Sequence, residues 1–196
     1  MKEQAAQPVA TKLKKLVLLA RDLRAGENFQ ITRLTVLKSW CEDPLAAGRF
    51  ALHLAERSKG RVAKKYKVLI ANALRQLKRH LANRKGQADE LLWQALRELE
   101  DSQNEYRDTR WGRVRTIRCR EALLAEHALR CVARPHESAH WGYQAARHYA
   151  ERYNPRYGTG LIPESASAVD DIVTYWAHEH HGNDASRILA GFGQDG

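Results

Sequence analysis

Between Arg61 and Leu81 the apolar residues recur at intervals of three and four: Val62, Tyr66, Leu69, Ala73, Leu77 and Leu81. At about 100° per residue they fall on one side of an α-helix. Arg61, Lys64, Lys65, Lys67, Arg75, Lys78 and Arg79 fall on the other. A helix of this kind must bury its apolar stripe against other elements, and its neighbours carry the same period. Residues 10–24 place Leu13, Leu16, Val17 and Ala20 at helical spacing. Ile31, Leu34, Leu37 and Trp40 follow roughly three apart. Asp43-Pro44 opens a further helix with Leu45, Phe50, Ala51 and Leu54 inward; Asp43 is its N-cap and Pro44 sits in the first turn, where a missing N–H costs nothing.

The pattern continues to the C-terminus. Residues 87–106 turn Leu91, Leu92, Ala95, Leu96 and Leu99 inward and an acidic face outward. Helices are predicted over 116–133 and 137–153, separated by Pro135. The Pro- and Gly-dense stretch NPRYGTGLIP, 154–163, reads as a loop. Ser167 and Asp170 have the spacing of a capping box for a helix running to His181, and a short helix follows over 184–190. No alternating run is long enough for a strand. The fold expected is all-α: a compact bundle of seven to nine mostly antiparallel helices. Residues 1–9 are expected to form a flexible tail and 10–196 a single helical domain, with 83–86 as the one candidate boundary within it.

The chain has 196 residues, 43% apolar and 29% charged, which suits a globular domain rather than a disordered polymer or a membrane protein. Its first apolar run, Leu16–Ala20, is too short for a signal peptide core or a membrane span. A cytoplasmic protein without membrane partners is therefore expected. Three widely spaced cysteines, Cys41, Cys119 and Cys131, argue against a disulfide framework.

The formal charge of +10 is uneven. Residues 1–85 hold 20 Lys and Arg against 6 Asp and Glu; residues 86–196 hold 13 Arg against 17 Asp and Glu and contain no lysine. A basic half of this size suggests a polyanionic partner. The basic stripe Lys64, Lys65, Lys67, Arg75, Lys78 and Arg79 can track phosphates and release counterions. The plainer reading is a solvated face, or one neutralised by the acidic helix after it. The segment YRDTRWGRVRTIRCR, 106–120, offers Arg110, Arg113, Arg115 and Arg118 as planar phosphate forks and Trp111 as a stacking platform. Its plainer reading is a set of salt bridges to the preceding acidic helix. Trp141, Ala145 and Tyr149, four apart, read as core.

The histidines raise the question of a metal. In YWAHEHHG, 175–182, His178 and His181 share a helix face, but the zincin spacing is absent and Gly182 supplies a helix stop. His127 with Cys131, and His136 with His140, are each at i, i+4 and could supply a second pair of ligands to a transition metal such as zinc. Histidines in a last turn also suit the helix dipole without any metal. No catalytic constellation is apparent. The function expected is non-enzymatic binding of nucleic acid through phosphate contacts. The alternatives are a helical scaffold for protein–protein association and a metal-dependent helical enzyme.

Overall fold

The computed structural model describes residues 3–24, 31–58, 64–83, 88–104, 107–108, 115–116, 120–153, 161–163 and 166–194. Among these the chain is all-α, with α1 (Glu3–Arg24), α2 (Pro44–Arg57), α3 (Lys64–Asn83), α4 (Glu90–Asn104), α5 (Arg120–Ala133), α6 (Ser138–Ala150), α7 (Ala166–His181) and α8 (Ala185–Gln194). No helix is long and apolar enough to cross a membrane among the described residues.

The chain divides into two units, residues 1–36 with 150–196, and residues 37–149. In the first, α1 packs on α7, and α8 packs on both. Leu13, Leu16, Leu19 and Ala20 of α1 are buried, as are Val169, Ile172, Val173, Trp176 and Ala177 of α7. In the second, α5 packs against α2, α3 and α4, and α3 packs on α4. Phe50 and Leu54 of α2, Leu77 of α3, Leu92, Leu96 and Leu99 of α4 and Leu124, Ala128 and Leu129 of α5 are buried. α3 and α4 flank the candidate boundary at 83–86, yet both belong to this second unit.

Local chemistry explains several boundaries. Asp43 caps α2 through its Oδ1, which accepts from the Leu45 N–H at 3.0 Å, and Pro44 occupies the first helical position. Ile31–Trp40 is a 3-10 helix rather than an α-helix. Its apolar residues explain this: a turn of about three residues stacks Leu34, Leu37 and Trp40 on one side, and all three are buried. Gly48 lets α2 approach α5 closely, since a Cβ there would meet Val132 Cγ1 at 2.7 Å.

Four expectations are corrected. Glu3–Val9, expected as tail, belongs to α1; Glu3, Gln4, Ala5 and Ala6 are strong helix formers. The helix expected over 116–133 starts at Arg120, and Arg115–Thr116 (β2) instead pairs antiparallel with Arg107–Asp108 (β1). The helix expected to reach Tyr153 stops at Ala150. Glu151–Tyr153 (β3) then pairs antiparallel with Leu161–Pro163 (β4), the end of the expected loop. Strands of two or three residues are too short to carry a period, so only the pairing reveals them.

Candidate nucleic-acid interface

The helix α3 runs for 20 residues without one Asp or Glu. Tyr66, Ala73, Leu77 and His80 are buried along one side. Lys67, Val68, Ala71, Arg75, Lys78 and Arg79 are exposed along the opposite arc. The stripe expected from the sequence is therefore present, with His80 joining the inner side. Lys64 and Lys65 lie in the first turn of α3, and their side chains fall outside the described residues.

The outward basic residues differ in how much they are engaged. Lys78 Nζ pairs with Glu56 Oε1 of α2 at 2.5 Å, both side chains about half exposed. Arg79 Nη2 pairs with Asp89 Oδ2 at 2.6 Å. Asp89 immediately precedes α4, where its Oδ1 accepts from the Leu92 N–H at 3.0 Å. That backbone N–H, with the Arg79 guanidinium behind it, holds the Asp89 carboxyl below the usual carboxylate range. Arg75 Nη2 donates to Asn72 Oδ1 at 2.9 Å, a neutral partner that leaves its charge uncancelled. Lys67 is exposed one turn after the start of the helix. The sequence expectation that the basic residues point to water holds for the described ones, Lys67, Arg75, Lys78 and Arg79. The competing expectation, neutralisation by the acidic helix that follows, holds among the described residues for Arg79, through Asp89; Lys78 pairs instead with Glu56 of the preceding α2.

Of the arginine-rich segment, Arg110, Trp111, Arg113 and Arg118 lie outside the described residues. Arg115 belongs to β2, and its side chain lies outside them too.

A second cluster, not foreseen from sequence, gathers around Arg130 of α5. Its guanidinium meets Glu100 Oε1 of α4 at 2.6 Å and Glu126 Oε1 at 2.7 Å, and it lies 4.3 Å from the Trp141 ring of α6. His127 stacks between Trp141 at 5.3 Å and His148 at 5.2 Å. Trp141 Nε1 donates to Glu137 Oε2 at 2.8 Å, which holds the Glu137 carboxyl below its usual range. The i, i+4 spacings of Glu126 with Arg130 and of Glu137 with Trp141 are the local signals of this cluster; the rest comes from three helices. With two carboxylates and an indole around it, Arg130 acts as a clamp between α4, α5 and α6 rather than as a ligand contact.

The histidines are dispersed. His178 Nδ1 donates to the Gly182 carbonyl at 3.2 Å, capping the end of α7, and Gly182 adopts φ +54°. His180 stacks on Trp176 at 5.6 Å, and burial there, then the neighbouring His181, pushes its pKa down. His181 is half-buried at the same helix end. His127 is buried in the aromatic stack and Cys131 is fully buried, with its thiol pushed far up by burial. His136 is exposed beside Glu137, 3.7 Å away, and His140 meets Trp141 edge-on at 4.7 Å. Among the described residues no three His, Cys, Asp or Glu side chains converge to hold a metal ion. The pair His178 and His181 lies in the first unit; His127, Cys131, His136 and His140 lie in the second.

No family model matches the chain, and neither a curated protein nor a solved structure shows significant similarity to it.

Proposed function

We propose that the protein binds nucleic acid through its phosphates, without a chemical step, and that α3 is the contact helix. The observation that carries this reading is a 20-residue helix with six Lys and Arg, no acid, and its described cations on the outer arc. From Lys64 to Arg79 the basic residues extend about 22 Å along the axis, which spans several phosphates of a nucleic-acid backbone. Lys67 and Arg75 are the leading contacts, because neither has a carboxylate partner among the described residues to give up on binding. Lys78 and Arg79 contribute after releasing or sharing Glu56 and Asp89. Lys64 and Lys65 extend the stripe at its start. Arg110, Arg113, Arg115 and Arg118, with Trp111 stacking on a base, form a second contact segment.

The outer arc offers Val68 and Ala71 between its charges, and the half-buried Asn72 already spends its amide oxygen on Arg75 and Gln76, a poor set for reading base edges, so sequence preference is weak. The buried, unpaired thiols of Cys41 and Cys131 suit a reducing cytoplasmic setting. Fluorescence anisotropy with labelled duplex DNA, single-stranded DNA and RNA tests the reading. The expected result is binding at low salt that weakens log-linearly as salt rises. No binding to any of the three at low salt, or binding that ignores salt, overturns it.

A further inference from the structure

We propose that the outer face of the α3–α4 hairpin docks on the same face of a second copy, with basic α3 of each chain over acidic α4 of the other. The exposed arc of α4 carries Glu90, Leu91, Gln94, Arg97 and Asp101, with Glu98 at its edge. Glu90 holds Arg97, and Gln94 Nε2 donates to Glu98 Oε1 at 3.0 Å, so the acidic excess rests on Glu98 and Asp101. Among the described side chains the corresponding excess on α3 rests on Lys67 and Arg75. The two strongly exposed large apolar residues among those described are Val68, 68% exposed, and Leu91, 45% exposed, one on each helix. Opposite charge with a single apolar residue on each side is the composition of a weak, salt-sensitive protein contact.

The register decides the geometry. Tyr66 Oη donates to the Ser102 carbonyl at 3.2 Å, and Arg79 pairs with Asp89 at 2.6 Å. The interval between these ties is thirteen residues on both helices, so α3 and α4 run antiparallel at equal rise. Both also pack on α5, which leaves their outer arcs on the other side of the hairpin. A twofold axis parallel to the helices, above the groove between them, places each α3 over the partner's α4. A rotation involves no shift along its axis, so the heights already set within one chain hold across the interface. Lys67 then lies level with Asp101, and Lys78 with Glu90, although these two already hold Glu56 and Arg97. Arg75 lies level with Trp93 and Glu98 with Ile70, so those two charges stand about 7–8 Å apart along the axis. Arg97, the one basic residue of α4, lies level with Ala71, in the uncharged middle of the basic stripe. Lys67 with Asp101, made twice, is thus the charge pair that twofold symmetry aligns, and Arg75 and Glu98 add attraction at longer range. This inference does not rest on nucleic-acid binding; the two occupants compete for α3.

The test is sedimentation velocity on the full chain at low and high salt, with two charge-reversed variants, Lys67→Glu/Arg75→Glu and Glu98→Lys/Asp101→Lys. Circular dichroism confirms that each remains folded. The wild-type chain is expected to dimerise at low salt and dissociate at high salt. Each variant alone is expected to dimerise at least about tenfold more weakly, because every reversed charge occurs twice in a twofold interface. An equimolar mixture of the two variants is expected to regain association, since both contacts are complementary again in the mixed dimer. A wild-type chain that stays monomeric at low salt overturns the proposal. So does a dimer indifferent to both reversals, or a mixture that does not associate. The reading separates from nucleic-acid binding, because Glu98→Lys/Asp101→Lys weakens the dimer and leaves the affinity for nucleic acid intact or stronger.

Discussion

Arg79, near the C-terminal end of α3, and Asp89, at the head of α4, are joined by a 2.6 Å ion pair while Asp89 also accepts from the Leu92 N–H at 3.0 Å. One carboxylate therefore caps a helix and ties the hairpin together. Asp89→Ala removes both interactions. A loss of about 1–2 kcal/mol is expected from the cap, with little added by the part-exposed ion pair; urea unfolding at neutral pH measures it. The Asp89 carboxyl sits below its ordinary value of 3.8 in the folded chain. Its contribution is thus present above that value and is lost as pH falls through the lower folded value. Below that range the Asp89→Ala variant and the wild type converge in stability.

Arg130 and Arg187 make a controlled comparison. Arg130 is mostly buried between Glu100, Glu126 and Trp141, whereas Arg187 is 81% exposed beside Asp184. Arg130→Ala is expected to cost about 3 kcal/mol, because two partly buried carboxylates lose a shared cation. Arg187→Ala is expected to change stability by less than about 0.5 kcal/mol. Denaturant midpoints of the two variants give the contrast directly.

Gly142 of α6 lies against Cys41. A Cβ at 142 would meet Cys41 Sγ at 2.5 Å and Cys41 Cβ at 2.7 Å. Gly142→Ala is expected to destabilise the fold by about 1–3 kcal/mol through overpacking. Adding Cys41→Ala to that variant removes Sγ and is expected to recover part of the loss, and thermal unfolding of the single and double variants checks it. The Cys41 thiol, pushed up to about 12 by burial, should also resist alkylation at neutral pH until the chain unfolds.

His180 stacks on Trp176, and burial pushes its pKa below the ordinary value of 6.5. A histidine with a lowered folded pKa favours the fold fully above 6.5. That contribution drains away as pH falls from 6.5 through the folded value. His180→Gln removes the titrating group, so stability should fall less steeply over this window than in the wild type. Urea unfolding at steps between pH 7.5 and 5 distinguishes the two slopes.

The phosphate contacts on α3 are expected to rank by their existing partners. Lys67→Ala and Arg75→Ala should each weaken nucleic-acid binding and lower the salt slope by about 0.9 per lost phosphate contact on duplex DNA. Lys78→Ala should have a smaller effect, since Lys78 already serves Glu56. Anisotropy titrations at several salt concentrations give both affinity and slope.

The sequence by itself determined what depends on neighbours along the chain. The amphipathic stripe of α3 is written at intervals of three and four, and its burial follows from them. The Asp43-Pro44 start of α2 needs only the two residues after the cap. The glycine stop after His181 is equally local. The spacing of Leu34, Leu37 and Trp40, roughly three apart, is that of the 3-10 turn they form.

Only the tertiary structure decided which charges meet. Arg130 and Glu100 are 30 residues apart, and Ser138 donates to the Glu42 carbonyl across 96 residues. Gly142 and Cys41 touch through helix packing that no periodicity encodes. The basic stripe shows the division best. Sequence placed Lys67, Arg75, Lys78 and Arg79 on one face. Packing then gave Lys78 and Arg79 carboxylate partners and, among the described residues, gave Lys67 and Arg75 none. Periodicity fixes the side of a helix on which a residue stands; the element that packs beside it determines whether its charge is spent.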